Sequence, residues 1–342
     1  MRAFVITGPR RATVADVASP VAAAGQVVVD VERAGLCGTD VEFFTGEMAY
    51  LHQGHAEYPI RPGHEWCGTV SAVGDGVPEA WLRRRVTGDT MLGCGRCRRC
   101  RGGLHYVCED RFEIGIRGGW PGALAEQLAV PATALRELPA TVDAVAGALA
   151  EPGGNGLRSV QAAALGPGDR VLVLGPGTIG LLAAKFALAG AAEVHVMGLT
   201  PESVEFAATL GVHGAWTAGS LPRLPFDAVI DCSNAAALPE LALDLVEPGK
   251  RVVYIGLAGR PSAIDTRALV LKDVTAVGIL GASRGLAGAI EHFAAGSVDP
   301  RPLVAATVGL DEVRDVLAGA RPAGSGPGPK ILVDPQLGRA RP

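Results

Sequence analysis

The sequence predicts an α/β protein, with a β-rich N-terminal part and a doubly wound parallel sheet in the C-terminal half. Three observations carry this. From about residue 152 onward, continuous apolar runs alternate with helical patterns, which is how strands buried on both faces and their crossover helices read. Before that point the β-branched runs are short and cut by Gly and Pro, as in antiparallel or mixed sheets. Within the later part, GPGTIG follows an apolar run directly and opens a helical stretch.

The elements follow in order. RAFVI, QVVVDVERAG, GTVSAVG and ALAEQLAV read as strands. GEMAYLHQGHAEYPIRP reads as a long loop, and loops of that length in a compact domain are usually functional. RVLVLG (170–175) is the first buried strand of the second half, IGLLAAKFALAG its helix, EVHVMG the next strand and PESVEFAATLG the next helix. FDAVID, a helix through PELALDLV, RVVYIG, TAVGIL and a helix near AGAIEHFAAG continue the alternation. LVAATVGLDEVRDVLAG and PKILVDP add a strand, a helix and a strand, with PAGSGPGP (322–329) as a turn between.

A chain of 342 residues suggests about two domains at roughly 150 residues each. Hydrophobic content of 48% against 19% charged is globular rather than disordered. The net charge of −4 supplies no global field for nucleic acid or an anionic membrane. The N-terminus, MRAFVITGPR, lacks a signal-peptide pattern. The longest apolar stretch, IGLLAAKFALAGAA, contains Lys185 and falls short of a membrane span. A cytoplasmic location is expected, and there clustered cysteines favour metal over disulfides.

GPGTIG (Gly175, Gly177, Thr178, Ile179, Gly180) matches G-x-G-x-x-G in the strand–turn–helix context that gives the pattern meaning. Gly175 permits the tight turn, Gly177 lets backbone approach a pyrophosphate, and Gly180 lets helix and strand pack closely. The helix N-terminus offers its free N–H groups to the anion. A NAD-type strand usually ends in Asp or Glu about 20 residues on; here VHVMGLTPES places Gly198 there. That leaves room for a 2′-phosphate, with Thr200 and Ser203 as donors, although the usual arginine is not adjacent. The reading favours NADP(H) over NAD(H).

Three separated motifs carry metal-ligand chemistry. AGLCGTD presents Cys37, PGHEWCG presents His64 and Glu65, and LAEPGGN presents Glu151. Thiolate, imidazole and carboxylate are all competent zinc donors, and three protein ligands with an open position is the catalytic pattern. Read singly, a lone Cys is most often a packed small hydrophobe and a lone Glu before Pro a helix-start charge. A fourth motif, GCGRCRRCRGGLHYVC, holds Cys94, Cys97, Cys100 and Cys108 at C-x₂-C-x₂-C-x₇-C. Four thiolates close a tetrahedral zinc site, which marks it as structural. Arg96, Arg98, Arg99 and Arg101 offset its formal −2. Cys67 and Cys232 are expected as packed thiols.

In the sequence of GLCGTD, PGHEWCG, the four-cysteine segment, an EP-type segment, GPGTIG and PKILV, the chain resembles the zinc-dependent medium-chain dehydrogenases/reductases, the alcohol and polyol dehydrogenase superfamily. The resemblance covers essentially the whole chain. It implies a GroES-like β-rich catalytic domain (1–152 and 300–342, with a structural zinc lobe at 93–108) and a Rossmann dinucleotide-binding domain (153–299). It implies two zinc ions per chain, the catalytic one on Cys37, His64 and Glu151, as in the sorbitol and threonine dehydrogenase branch. Glu65 is then an auxiliary carboxylate, bound directly or through water. Thr39 touches the substrate oxygen and passes its proton outward, and Asp40 accepts the second N–H of His64. Family members often place a His where this chain has Glu42, so the relay runs through Glu42, through His52 or His55, or through water.

The implied activity is hydride exchange between NADP or NAD and a secondary alcohol, polyol or matching ketone, in a homodimer or homotetramer. Tyr50, His52, His55, Tyr58, Trp66 and Trp120 are expected around a polar pocket, with Asn155 as a further acceptor. Two rivals stand beside this reading: a non-catalytic dinucleotide sensor, and a nucleic-acid binder using the arginine-rich knuckle. The acidic charge and the missing aromatic platform oppose the second, so neither nucleic acid nor membrane is an expected partner.

Overall fold

The computed structural model describes residues 1–338; residues 339–342, the end of the segment assigned to the catalytic domain, lie outside the described residues. The chain forms two compact units. One holds Met1–Glu151, Val304–Gly326 and the stretch from Lys330 on; the other holds Pro152–Leu303 and Pro327–Pro329.

The first unit is built on a seven-stranded sheet. Its central strand is Gln26–Gly35, the QVVVDVERAG run. Alternation puts Val27, Val29 and Val31 in the core beside Phe4, Trp66 and Leu128. One edge of that strand pairs along its length with Glu65–Val73. The other edge is shared. Gln127–Pro131 pairs with its first half, and Lys330–Val333 pairs with its end through Leu332 opposite Gly35. Three separated segments therefore converge where the strand gives way to Leu36 and Cys37. The ALAEQLAV run forms a strand only over Gln127–Pro131, and the GTVSAVG strand starts earlier than expected, at Glu65. The expected long loop contains one short helix, Ala49–His52. It follows the Gly38–Thr45 helix, which ends at left-handed Gly46.

The second unit is a six-stranded parallel sheet. Its strands, edge to edge, are Gly214–Thr217, Glu193–Gly198, Arg170–Leu174, Phe226–Asp231, Val246–Tyr254 and Thr275–Gly278. Counted in chain order this is 3-2-1-4-5-6, the doubly wound dinucleotide-binding order. Leu172, Leu174, Phe226, Val229 and Val252 form its core. The Thr178–Ala189 helix is mostly Ala and Leu, strong helix formers, and it is buried nearly all round. Pro201 opens the Pro201–Ala208 helix behind the Thr200 N-cap. Among the described residues no helix is long and apolar enough to cross a membrane.

Candidate metal centre and dinucleotide turn

Sheet register assembles the first site. Gly35 pairs with Glu65 on one side and with Leu332 on the other. Cys37 then caps the Gly38–Thr45 helix, its backbone N–H donating to Asp40 Oδ2 at 2.8 Å. Just before the neighbouring strand, Gly63 has φ +102, and a Cβ there would lie 2.6 Å from the Leu124 nitrogen. That glycine lets the chain turn tightly into His64 and Glu65. The donor atoms of Cys37, His64 and Glu65 all lie within 4.8 Å of one another. His64 and Glu65 are buried, at 5% and 2% exposure.

Two buried polar atoms in this cluster have no hydrogen-bond partner, His64 Nδ1 and Asp40 Oδ1, and they lie 3.9 Å apart. Burial alone lowers the His64 pKa. The hydrogen bond and charge of Cys37, together with Asp40 and Glu151, overcome this and push it well above the usual histidine value. Burial likewise raises Asp40, with His64 opposing. An imidazole ringed by anions in a dry site calls for a cation, and thiol, imidazole and carboxylate are a zinc donor set. The residues fit a metal.

Glu151, on the Ala150–Ala163 helix, is 7% exposed and acts on His64 through its charge. The 4.8 Å group, however, contains Glu65 and not Glu151. Thr39 is half-buried two residues past Cys37. Glu42 is raised by burial and by Glu47. His52 is exposed, with its ring Nε2 at 3.0 Å from the Gly46 carbonyl. His55 packs edge-on to Tyr50 at 5.5 Å.

The expected aromatic wall is only partly present. Trp66 is fully buried in the core, because it faces away from Glu65 along the same strand. Tyr58 donates to the Phe43 carbonyl at 2.6 Å. Tyr50 joins Arg111 and Glu113 in a half-buried triad, with Arg111 Nε to Glu113 at 2.7 Å. A cavity of about 640 Å³ lies elsewhere, between His55, Arg96, Phe112 and Trp120, and none of Cys37, His64 or Glu65 lines it.

One residue escaped sequence reasoning. Lys330 begins the PKILV strand at 2% exposure, and its ammonium donates to Glu65 Oε2 (2.6 Å), Glu65 Oε1 (2.9 Å) and the Leu36 carbonyl (2.8 Å). Burial lowers its pKa, but Glu65 and Cys37 raise it further, so it stays charged. Removing one partner of such a pair leaves a buried uncompensated charge, costing on the order of 3–5 kcal/mol. The available signal was a lysine leading an otherwise apolar strand.

The four-cysteine segment forms a second donor group, again within 4.8 Å. Cys94 and Cys100 sulfurs lie 3.9 Å apart, and those of Cys97 and Cys108 3.8 Å apart. Backbone N–H groups of Arg96 and Cys97 pull the Cys94 thiol down to about 6. Gly93 makes room for this, since a Cβ there would lie 2.8 Å from Cys100 Sγ. Arg99 pairs with Glu109 at 2.8 Å. Cys67 donates to the Ala144 carbonyl, and burial pushes its thiol up to about 12. Burial also raises Cys232.

In the second unit, Gly175 has φ +92, and its would-be Cβ meets Ser233 at 3.2 Å. A Cβ on Gly180 would lie 2.0 Å from the Gly175 carbonyl, whereas one on Gly177 would meet nothing within 4 Å. The open side therefore lies at Gly177, the N-cap of the helix begun by Thr178 and Ile179. These residues fit a pyrophosphate on backbone N–H groups. A Cβ on Gly198 would approach Ser203 Oγ at 2.8 Å and Pro176 Cγ at 2.9 Å. Thr200 Oγ1 accepts from Ser203 N, and Ser203 Oγ donates to the Thr200 carbonyl at 2.8 Å. Both hydroxyls thus already serve the helix cap.

Residues 23–140 match the alcohol dehydrogenase GroES-like domain family, and residues 178–295 the zinc-binding dehydrogenase family. The L-threonine 3-dehydrogenase of Streptomyces avermitilis is 30% identical over 334 residues, covering 93% of this chain and 94% of that one. The chain belongs to the zinc-dependent medium-chain dehydrogenase/reductase superfamily. An alcohol dehydrogenase from Thermus sp. ATN1 superposes with TM-score 0.87 at 27% identity, covering 98% of this chain and 99% of that one. A zinc-binding dehydrogenase from Sinorhizobium meliloti 1021, bound to NADP, gives 0.86 at 28%, with the same coverage. This dehydrogenase is accordingly an NAD(P)-dependent zinc oxidoreductase acting on alcohols or the matching ketones. That supports the enzymatic reading over the sensor and nucleic-acid alternatives.

Proposed function

We propose that Cys37, His64 and Glu151 hold the catalytic zinc of a secondary-alcohol or polyol dehydrogenase, with Glu65 beside it, and that Cys94, Cys97, Cys100 and Cys108 hold a second, structural zinc. The observation that carries this is the anion-ringed His64, whose Nδ1 and whose neighbour Asp40 Oδ1 are buried and unpartnered. The first unit is then the catalytic domain and the second the dinucleotide-binding domain. When bound, the metal supplies Lewis-acid polarisation of the substrate oxygen.

The chain's residues do the rest. The Thr39 hydroxyl accepts the substrate's hydroxyl proton and passes it toward Glu42 or solvent. Asp40, anchored by the Cys37 backbone, sets its carboxylate 3.9 Å from His64 Nδ1, where its charge favours a proton on that nitrogen. Cys37 and Glu151 supply the two negative charges that balance a divalent ion. The turn from Gly175 to Gly180 carries the cofactor pyrophosphate. Gly198 supports NADP(H), because no carboxylate opposes a 2′-phosphate there.

The substrate class follows from the relatives: the L-threonine 3-dehydrogenase of Streptomyces avermitilis acts, by its name, on an amino alcohol, and we extend the class to polyols. Self-association into a homodimer or homotetramer completes the proposal. The terminal strand Thr275–Gly278 is mostly exposed and uncharged, flanked by Val270 and Leu271 at 74% and 82% exposure. A reducing compartment such as the cytoplasm suits seven free cysteines.

The test is a spectrophotometric panel of polyols, amino alcohols and simple ketones with NAD(H) and NADP(H). Turnover of at least one polyol or amino alcohol, abolished in C37S while dinucleotide binding persists, is expected. Full activity in C37S would remove the proposed centre. Light scattering on the purified protein reads its oligomeric state.

A further inference from the structure

Lys330 spends all three of its ammonium hydrogens on one purpose. Two go to the two oxygens of Glu65 and the third to the Leu36 carbonyl, one residue before Cys37. Gly35 completes the clamp, since a Cβ there would lie 2.0 Å from Glu65 Oε2, so the carboxylate rests flat against bare backbone. Yet a Glu65 oxygen is within 4.8 Å of the Cys37 and His64 donor atoms. The carboxylate is near enough to compete for a metal there, and a cation holds it by both oxygens.

Charge shows what the clamp achieves. Cys37 and Glu151 balance a divalent ion. An unpaired Glu65 would add a further negative charge to those of Cys37, Glu151 and Asp40 in a dry site and disfavour an anionic substrate oxygen. Lys330 cancels that charge through 2.6 and 2.9 Å contacts. We propose that Lys330 is a positioning residue that holds Glu65 back from the metal, so that Glu65 remains an outer carboxylate and the place facing substrate stays open. This rests on the metal-centre reading above.

Cobalt in place of zinc reads the coordination directly, because its visible d–d absorption weakens as the ligand number rises. The signal of interest is the part of the spectrum that disappears in C37S. In E65Q, with Lys330 intact, that part is expected to match the wild type. In K330M, Glu65 is released onto the metal. The Cys37-dependent absorption weakens, and the ion is lost to a chelator roughly 10-fold more slowly, the scale of outer-shell effects on metal affinity. In K330M/E65Q the wild-type spectrum returns. A changed spectrum in E65Q overturns the proposal even if K330M does not fold. So does a folded, cobalt-loaded K330M with an unchanged spectrum, or a double variant no different from K330M. Absence of any Cys37-dependent cobalt signal in the wild type overturns the metal centre itself.

Discussion

The two donor clusters of the first unit are assembled by opposite routes. Cys94, Cys97, Cys100 and Cys108 come from one stretch of sixteen residues whose local turns bring the sulfurs together. Cys37, His64 and Glu65 come from two strands and a helix cap, with Lys330 arriving from a third strand. The first cluster is all thiol, leaves no donor of another kind and suits a closed tetrahedral site. The second mixes thiol, imidazole and carboxylate, and its carboxylate carries its own counter-ion. A closed site needs only local spacing. An open one needs the fold, because the groups that keep a position free must come from several directions.

Substituting one cysteine in each cluster tests this contrast most strongly. C37S is expected to abolish alcohol-dependent turnover and remove one metal equivalent while leaving the thermal midpoint nearly unchanged. C100S is expected to do the reverse in kind, breaking the lobe rather than the chemistry. Loss of a structural metal costs about 4–5 kcal/mol, or roughly 10 °C in midpoint at this domain size. Differential scanning fluorimetry with metal analysis distinguishes the two. Equal losses of stability in both variants would erase the distinction between clusters.

The next effect in size concerns orientation. Asp40 Oδ1 is buried, unpartnered and 3.9 Å from His64 Nδ1. D40N is expected to lower metal affinity or kcat/KM by about 10–100-fold, with no change at the four-cysteine lobe. A D40N enzyme of wild-type affinity and activity would show that the His64 ring is held by other means.

A charge cluster in the second unit serves as the control, because its anion is already satisfied. Arg170 holds Glu193 bidentately at 2.7 and 2.9 Å, and His195 adds a contact at 2.9 Å. Hydrogen bonds from Arg170 and His195 pull the Glu193 carboxyl from 4.5 down to about 2. The unfolded chain therefore binds more protons than the folded one between those values. The stabilisation is complete above pH 4.5 and is lost as pH falls through 2. Being partly exposed, it amounts to at most about 1 kcal/mol. The stability difference between wild type and E193Q should shrink as pH falls below 4.5, and an unchanged difference at pH 3 would contradict the assignment.

Legibility in the sequence followed the same division. The parallel sheet was readable because its strands are continuous apolar runs, and Gly175, Gly177 and Gly180 sit between one such strand and its helix. The cysteine lobe was readable from spacing. Cys37 and His64 were found through their motifs. The Lys330–Glu65 pair was not found, because its members lie 265 residues apart and only strand register joins them. Trp66 was expected at a pocket wall but is core, since adjacent strand residues face opposite sides. Thr200 and Ser203 are placed as phosphate donors by their position just past the Glu193–Gly198 strand; Thr200 Oγ1 accepts from Ser203 N, and Ser203 Oγ donates to the Thr200 carbonyl.

The most direct measurement is an anomalous-difference map at the zinc edge from crystals of the purified protein. Two peaks per chain are expected. One lies among Cys94, Cys97, Cys100 and Cys108, and the other is bonded to Cys37 and His64 with Glu65 still on Lys330. A single peak confined to the cysteine lobe, in protein that oxidises an alcohol, would contradict it.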